Sequence, residues 1–189
     1  MKKILIGTHN RGKFREIACL ISKRFKKISP ATLKIKSPNE TGKTFESNSK
    51  LKANFFSNFV NFPVISDCSG LCIKSLKNAP GVYSARLAKK KGGFYNAMKY
   101  ILKKLKLKKN RSAFFVCNLT YKSQDGKLIN VQGKIYGKIS NKILGKNGFG
   151  YDPIFIPKGK RLTFGEMEPK KKYKIDHRSN AFKKIKKFF

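Results

Sequence analysis

The chain has 189 residues, with 45 Lys and Arg against nine Asp and Glu, giving a formal net charge of +36. Apolar residues make up 40% and include 16 Phe and 7 Tyr, so the chain can build a core and does not have the composition of a disordered protein. No apolar run approaches the roughly 20 residues of a membrane span, and only Ile4-Leu5-Ile6 follow the basic opening Met1-Lys2-Lys3, too few for a secretory signal.

In chain order, Ile4 to Gly7 reads as a short buried strand and Thr8-His9-Asn10-Arg11-Gly12 as a loop. From Lys13, the apolar positions Phe14, Ile17, Ala18, Leu20 and Ile21 recur at helical spacing. A second helix is expected from Thr44 to Phe59, with Phe45, Leu51, Phe55 and Phe59 on one side. Val64-Ile65-Ser66 reads as a second short strand, running into a tight turn at Asp67-Cys68-Ser69-Gly70. A third helix spans about Gly93 to Leu105. Ala113 to Tyr121 and Leu128 to Ile139 are strands joined by a hairpin turn at Gln124-Asp125-Gly126. Gly145 to Gly150 is a loop with three glycines, and Arg178 to Phe188 closes the chain as a basic amphipathic helix. No repeat, linker or break in composition divides the sequence, so residues 1–189 read as one α/β domain.

Lys supplies 38 of the 45 basic residues, Arg only 7, and they are spread over nearly the whole chain. Base readout and bidentate phosphate contacts favour Arg. The dispersed Lys therefore argues against specific nucleic-acid binding and reads as solvated surface. Cys19, Cys68, Cys72 and Cys117 form neither C-x-x-C nor a His/Cys metal spacing, and reduced thiols of a cytoplasmic protein are the plain reading.

Several clusters have the composition of a phosphate site. Thr8-His9-Asn10-x-x-Lys13, leading into a helix, can offer backbone N–H groups and an ammonium to phosphate, or be an N-cap beside a solvated Lys. It is not a Walker loop. Glu40 lies just before a helix on which Asn48 and Lys52 share a face, and an ordinary helix entry with a surface Lys has the same pattern. Asp67 and Ser69, on a turn after an apolar strand, suit a Mg²⁺ site, because Mg²⁺ takes a few carboxylates together with substrate oxygens. An Asp at a strand end is also a common turn residue. Phe149 and Tyr151 flank Gly150 beside Asp152, either to stack a base or to plug a core. His177-Arg178 in a basic tail carries no weight alone.

Seven separated blocks resemble, in order and at family spacing, the inosine triphosphate pyrophosphatase (Ham1-like) family. They are Thr8-His9-Asn10-x-x-Lys13-x-x-Glu16, Glu40-x-Gly42-x-Thr44-Phe45-x-x-Asn48-x-x-x-Lys52-Ala53, Ser66-Asp67-Cys68-Ser69-Gly70-Leu71, Pro80-Gly81-Val82-Tyr83-Ser84-Ala85-Arg86, Gly148-Phe149-Gly150-Tyr151-Asp152-Pro153, Thr163-Phe164-Gly165-Glu166-Met167, and Lys172 with His177-Arg178. The resemblance implies an elongated mixed β-sheet flanked by helices, with two lobes, a central substrate cleft and a homodimeric assembly. It implies Mg²⁺-dependent hydrolysis of ITP, dITP and XTP to the monophosphate and pyrophosphate. Carried over residue by residue, Thr8 to Lys13 (Thr8, His9, Asn10, Arg11, Gly12, Lys13) meet the triphosphate, assisted by Lys52 and Lys172. Glu40 is a metal ligand and Ser69 touches substrate. Phe149 stacks on the purine, and Gly150, Tyr151 and Asp152 complete the base pocket with His177 and Arg178. Hypoxanthine and xanthine present an O6 acceptor and an N1–H donor, which suit Arg178 and Asp152 respectively. Adenine reverses both groups and leaves buried polar atoms unpaired.

One departure matters most. The family carries Asp-Asp-Ser-Gly where this chain has Asp67-Cys68-Ser69-Gly70, and the second Asp is the family's metal-associated proton acceptor. A thiol is a soft ligand with a reference pKa near 8.5. Lys residues and a metal nearby would favour the thiolate, and Asp67 lies one residue away. The alternative reading is a catalytically impaired basic protein that binds nucleotides or nucleic acid. Smaller departures are Ser49 where Ala is usual, Gly165 for Ala, and Asp176 for Ser before His-Arg.

Overall fold

The computed structural model describes residues 1–189. Six strands form one mixed sheet in the order β2-β1-β3-β4-β5-β6: β1 is Lys2–Ile6, β2 Phe25–Ile28, β3 Val64–Ile73, β4 Ser112–Lys122, β5 Leu128–Ile139 and β6 Phe155–Pro157. Strand β1 runs parallel to both β2 and β3, and β6 runs antiparallel to β5. The helices are α1 (Arg11–Leu20), α2 (Phe45–Ser57), α3 (Ser84–Lys90), α4 (Phe94–Lys104), the single turn α5 (Pro169–Lys172) and α6 (His177–Ile185). The expected α/β architecture, a mixed sheet flanked by helices, is what the chain adopts.

Chain contacts divide the molecule into two compact units: Met1–Cys68 with Cys117–Gly133 and Arg178–Phe189, and Ser69–Val116 with Lys134–His177. In the first unit, strand alternation sorts the core onto two faces. Ile4, Ile6 and Ile65 pack with Ile17, Phe182 and Ile185, while Leu5 and Val64 pack with Ile35 and Phe56. The second unit has one core, built from Leu71, Ile73, Met98, Ile101, Phe115, Phe155 and Phe164 among others.

The structure corrects several expectations. Strand β3 does not stop at Ser66 but continues to Ile73, so Asp67 and Cys68 lie in mid-strand and are buried, not exposed on a turn. The apolar residues on both sides of the motif, Val64-Ile65 and Leu71-Cys72-Ile73, keep the strand going through a polar centre. Helix α1 begins at Arg11, because the Asn10 side chain accepts from Lys13 N at 3.0 Å and caps it. Arg11 and Gly12 are thus helical rather than looped. On α2 the buried face is Asn48, Ser49, Lys52, Ala53 and Phe56, whereas Phe59, expected inside, is exposed and lies beyond the helix end. The closing helix runs His177–Ile185, and residues 186–188 wind as a 3-10 turn. Strands β2 and β6 and helix α3 were not anticipated.

Candidate active site

In the first unit, three cations interleave with three carboxylates. Lys13, on the first turn of α1, places Nζ 3.1 Å from Asp67 Oδ2. Arg178, at the start of α6, places Nη1 2.7 Å from Glu16 Oε2 and Nε 3.7 Å from the same Asp67 oxygen. Lys52, on the buried face of α2, places Nζ 2.9 Å from Glu40 Oε1. Glu16, Asp67 and Arg178 are all buried, so each charge is offset by its neighbours rather than by water. Burial alone would lower the Lys52 pKa, but Asp67, Glu40 and Cys68 together hold it above the ordinary lysine value.

Cys68 stands in the field of the same groups. Burial pushes its thiol up, against the downward pull of Lys13 and Lys52 and with Glu40 and Asp67 adding to the rise. A thiol raised in this way is a poor base, and its sulfur is a soft donor that suits a hard metal poorly. Successive strand residues address opposite faces, so Asp67, held by Lys13 and Arg178, does not stand in the place of Cys68.

The rest of the first loop is ordered by local bonds. Asn10 N donates to Thr8 Oγ1 at 3.2 Å. His9 Nδ1 lies 2.6 Å from Ser37 Oγ and its Nε2 2.9 Å from the Ile35 carbonyl, which fixes the ring between two segments of the unit. Arg11 is exposed at the helix start, beside a cavity of about 240 Å³ lined by Thr8, His9, Arg11, Phe14 and Arg15.

In the second unit, Asp152 and Lys172 form a dry ion pair, Nζ to Oδ2 2.5 Å, with both side chains almost inaccessible. Asp152 Oδ2 also accepts from Phe149 N at 2.8 Å. The ammonium lies 5.2 Å from the Phe149 ring centroid and 5.4 Å from that of Phe164, within cation–π range of both. Gly148, at φ +73°, is the one residue type this loop admits, since a Cβ there would lie 2.1 Å from Asp152 Oδ2. His177 stacks on Phe115 with centroids 4.8 Å apart and planes at 12°. Ser69 is half-buried on β3.

Set against the sequence reading, Lys13 meets Asp67 and Lys52 meets Glu40, the residues expected around a phosphate and its metal. Lys172 differs. It is buried, with the rings of Phe149 and Phe164 and the Asp152 carboxylate around its ammonium. Tyr151 is a core residue, edge-on to Phe94 at 5.2 Å, and its hydroxyl donates to the Ser84 carbonyl at 2.8 Å. Burial pushes that phenol well above its ordinary pKa. Arg178, expected to read a purine, is engaged by Glu16 and Asp67. Glu16 received no role in the sequence reading. The available signal was its position three residues after Lys13, on the same helical face, in a chain with only nine acids.

The Ham1 family profile matches residues 4–188. The chain is 40% identical over 186 residues to the dITP/XTP pyrophosphatase of Caulobacter vibrioides, covering 97% of this chain and 96% of that protein. It is 41% identical over 194 residues to the dITP/XTP pyrophosphatase of Oceanobacillus iheyensis, covering 100% and 98%. Among solved structures, the Ham1 protein of Coxiella burnetii matches with TM-score 0.88 at 31% identity over 100% of this chain and 98% of that one. The Staphylococcus aureus Ham1 protein matches with TM-score 0.87 at 32% identity over 99% and 97%. On sequence and fold alike, this chain belongs to the Ham1 family.

Proposed function

We propose that this chain is a nucleoside triphosphate pyrophosphatase acting on deaminated purine nucleotides, ITP, dITP and XTP. Water attacks the α-phosphorus, the α–β bridging bond breaks, and the monophosphate and pyrophosphate leave. The observation that carries this reading is the pairing of Lys13 with Asp67 and of Lys52 with Glu40, on α1, β3, α2 and the segment before α2 in the first unit. Lys13 and Lys52 are cations already held by carboxylates, and phosphate oxygens can take over those contacts without an uncompensated charge being created. Thr8 to Lys13 and Lys52 bind the triphosphate, and Ser69 touches it. Phe149, Gly150, Tyr151, Asp152, His177 and Arg178 define the base, with Lys172 fixing Asp152.

The residues present fit Mg²⁺ in part. Glu40 keeps a third of its side chain accessible beside Lys52, and Asp67 is a second carboxylate, which suffices for an ion that takes most ligands from water and phosphate. The buried, protonated sulfur of Cys68 does not fit a hard cation. Bound by Glu40 and Asp67, Mg²⁺ would neutralise charge on the phosphate oxygens. This chain's own residues bind and orient the triphosphate, and no carboxylate at position 68 is there to accept the water's proton.

That last observation favours a second reading, a Ham1-family protein that binds nucleotides but turns them over poorly. Pyrophosphate release from ITP, XTP, GTP and ATP with Mg²⁺ separates the two, for the parent and for Cys68→Asp. Release from ITP and XTP by the parent supports the enzyme. Release only after Cys68→Asp identifies a disabled one, and release by neither discards both as pyrophosphatases. General-base catalysis contributes typically about 10²–10⁴-fold, and a gain within that range is expected from Cys68→Asp. We also read the chain as a cytoplasmic homodimer. No helix is long and apolar enough to cross a membrane.

A further inference from the structure

We propose that Asn48 is a positioning residue for Glu40, acting through Gly42; the inference rests on the reading of Glu40 as a metal ligand. Asn48 is fully buried on α2. Its amide makes both of its complementary bonds to a single residue: Oδ1 accepts from Gly42 N at 2.8 Å, and Nδ2 donates to Gly42 O at 2.9 Å. Gly42 lies in a segment that is neither helix nor strand, so its backbone groups have no ladder to join, and a side chain supplies the partner instead. The approach is so close that residue 42 admits no side chain. A Cβ there would lie 2.3 Å from Ser47 Oγ and 2.7 Å from Asn48 Oδ1.

Glu40 is two residues before that clamp, and its carboxylate is tied to Lys52 of the same helix. Asn48 and Lys52 are separated by about 6 Å of helix rise. The 40–42 segment is thus held to one rigid helix at two points, by its backbone through Asn48 and by its carboxylate through Lys52. Without the first tie the segment loses a backbone anchor to α2, and the Glu40–Lys52 bond is one that a metal or phosphate must compete with.

The adjacent Ser49 is an internal control. It is equally buried, but its hydroxyl donates to the Glu46 carbonyl at 2.9 Å and accepts from Thr120 at 2.8 Å and Asn130 at 3.0 Å, so it ties α2 to β4 and β5 instead. Removing either side chain destabilises the same helix; only one holds the Glu40 segment.

The test measures Mn²⁺ binding by electron paramagnetic resonance, on the full chain without nucleotide, alongside melting temperature and the Mg²⁺ dependence of ITP turnover. Glu40→Gln should weaken Mn²⁺ binding. Asn48→Ala and Asn48→Asp should weaken it about tenfold or more, as losses of ligand-orienting bonds do. The Asp variant can still accept from Gly42 N but sets an acceptor against its carbonyl. The Mg²⁺ concentration for half-maximal turnover should rise by the same factor, with kcat recovered at saturation. Ser49→Ala should lower the melting temperature and leave Mn²⁺ affinity within twofold. The proposal is overturned if Asn48→Ala binds Mn²⁺ like the parent, or if Ser49→Ala loses as much affinity as Asn48→Ala. It is also overturned if Mn²⁺ binding is absent from the parent or unchanged in Glu40→Gln, even where ITP is cleaved. Glu40-dependent binding without cleavage of any triphosphate would sink the pyrophosphatase reading and leave the role of Asn48 standing.

Discussion

In the first unit Asp67 faces Lys13 and Arg178, Arg178 faces Glu16, and Glu40 faces Lys52, so each buried charge belongs to a network and several have more than one partner. In the second unit Asp152 and Lys172 pair in the interior, closed in by the rings of Phe149 and Phe164. Both arrangements solve the same problem of desolvated charge. The network can exchange partners, which suits a site where phosphate arrives as a competing anion. The enclosed pair is costly to open, because both side chains are almost inaccessible to water, which suits a loop whose shape must not change.

Removing cations from each unit tests that contrast most strongly. Lys172→Met should cost about 3–5 kcal/mol, the usual penalty for orphaning one member of a buried pair. It would be read as a lower midpoint in urea, and Asp152→Asn in the same chain should recover much of the loss. Lys13→Met should cost less, about 1–2 kcal/mol, since Arg178 still faces Asp67 and Lys13 is partly accessible. Equal losses for the two substitutions would break the distinction between network and pair.

The cysteines of β3 offer a pH-dependent version. Burial pushes the Cys72 thiol from 9.0 to about 11, opposed only by Lys134. A thiol whose folded pKa is raised contributes stability that is complete below the unfolded value and is lost as pH climbs through the folded one. Urea midpoints should therefore fall between about pH 9 and pH 11, and Cys72→Ala should flatten that fall while lowering the midpoint at neutral pH. A midpoint that rises in this window would contradict the burial argument. The smallest effect is expected at the accessible pair Lys50–Glu46, one helical turn apart on α2, where Lys50→Ala should change stability by no more than about 0.5 kcal/mol.

What the sequence made legible was chiefly what local chemistry decides. The Asn10 cap, the Gln124-Asp125-Gly126 turn and the helical spacing after Lys13 are short-range signals, and the structure follows them within a residue or two. The polar centre of β3 reads as a turn because Ser66 to Gly70 has the composition of one; the strand's neighbour β4, distant in sequence, is invisible to such a local reading. The buried face of α2 was misread for a similar reason. Its inward residues Asn48, Ser49 and Lys52 are polar, and their burial is met by partners: Gly42 accepts from Asn48, Thr120 and Asn130 donate to Ser49, and Glu40 pairs with Lys52. Propensity and periodicity contain no term for a partner 71 or 81 residues away. Motif spacing led to Lys13, Glu40, Lys52 and Asp67, but the role of Glu16 and the dryness of Lys172 depend on side chains that converge only after folding.

The extended course of β3 has one more consequence. Position 68 lies within the ten-residue strand β3, so its backbone is extended and a substitution there is confined to the atoms beyond one Cβ. A catalytic position carried on a loop can drift once its chemistry is gone, and restoring the residue then does not restore the place. Here the place is preserved by sheet geometry independently of what occupies it. Cys68→Asp therefore exchanges a thiol for a carboxylate on a backbone that is already extended.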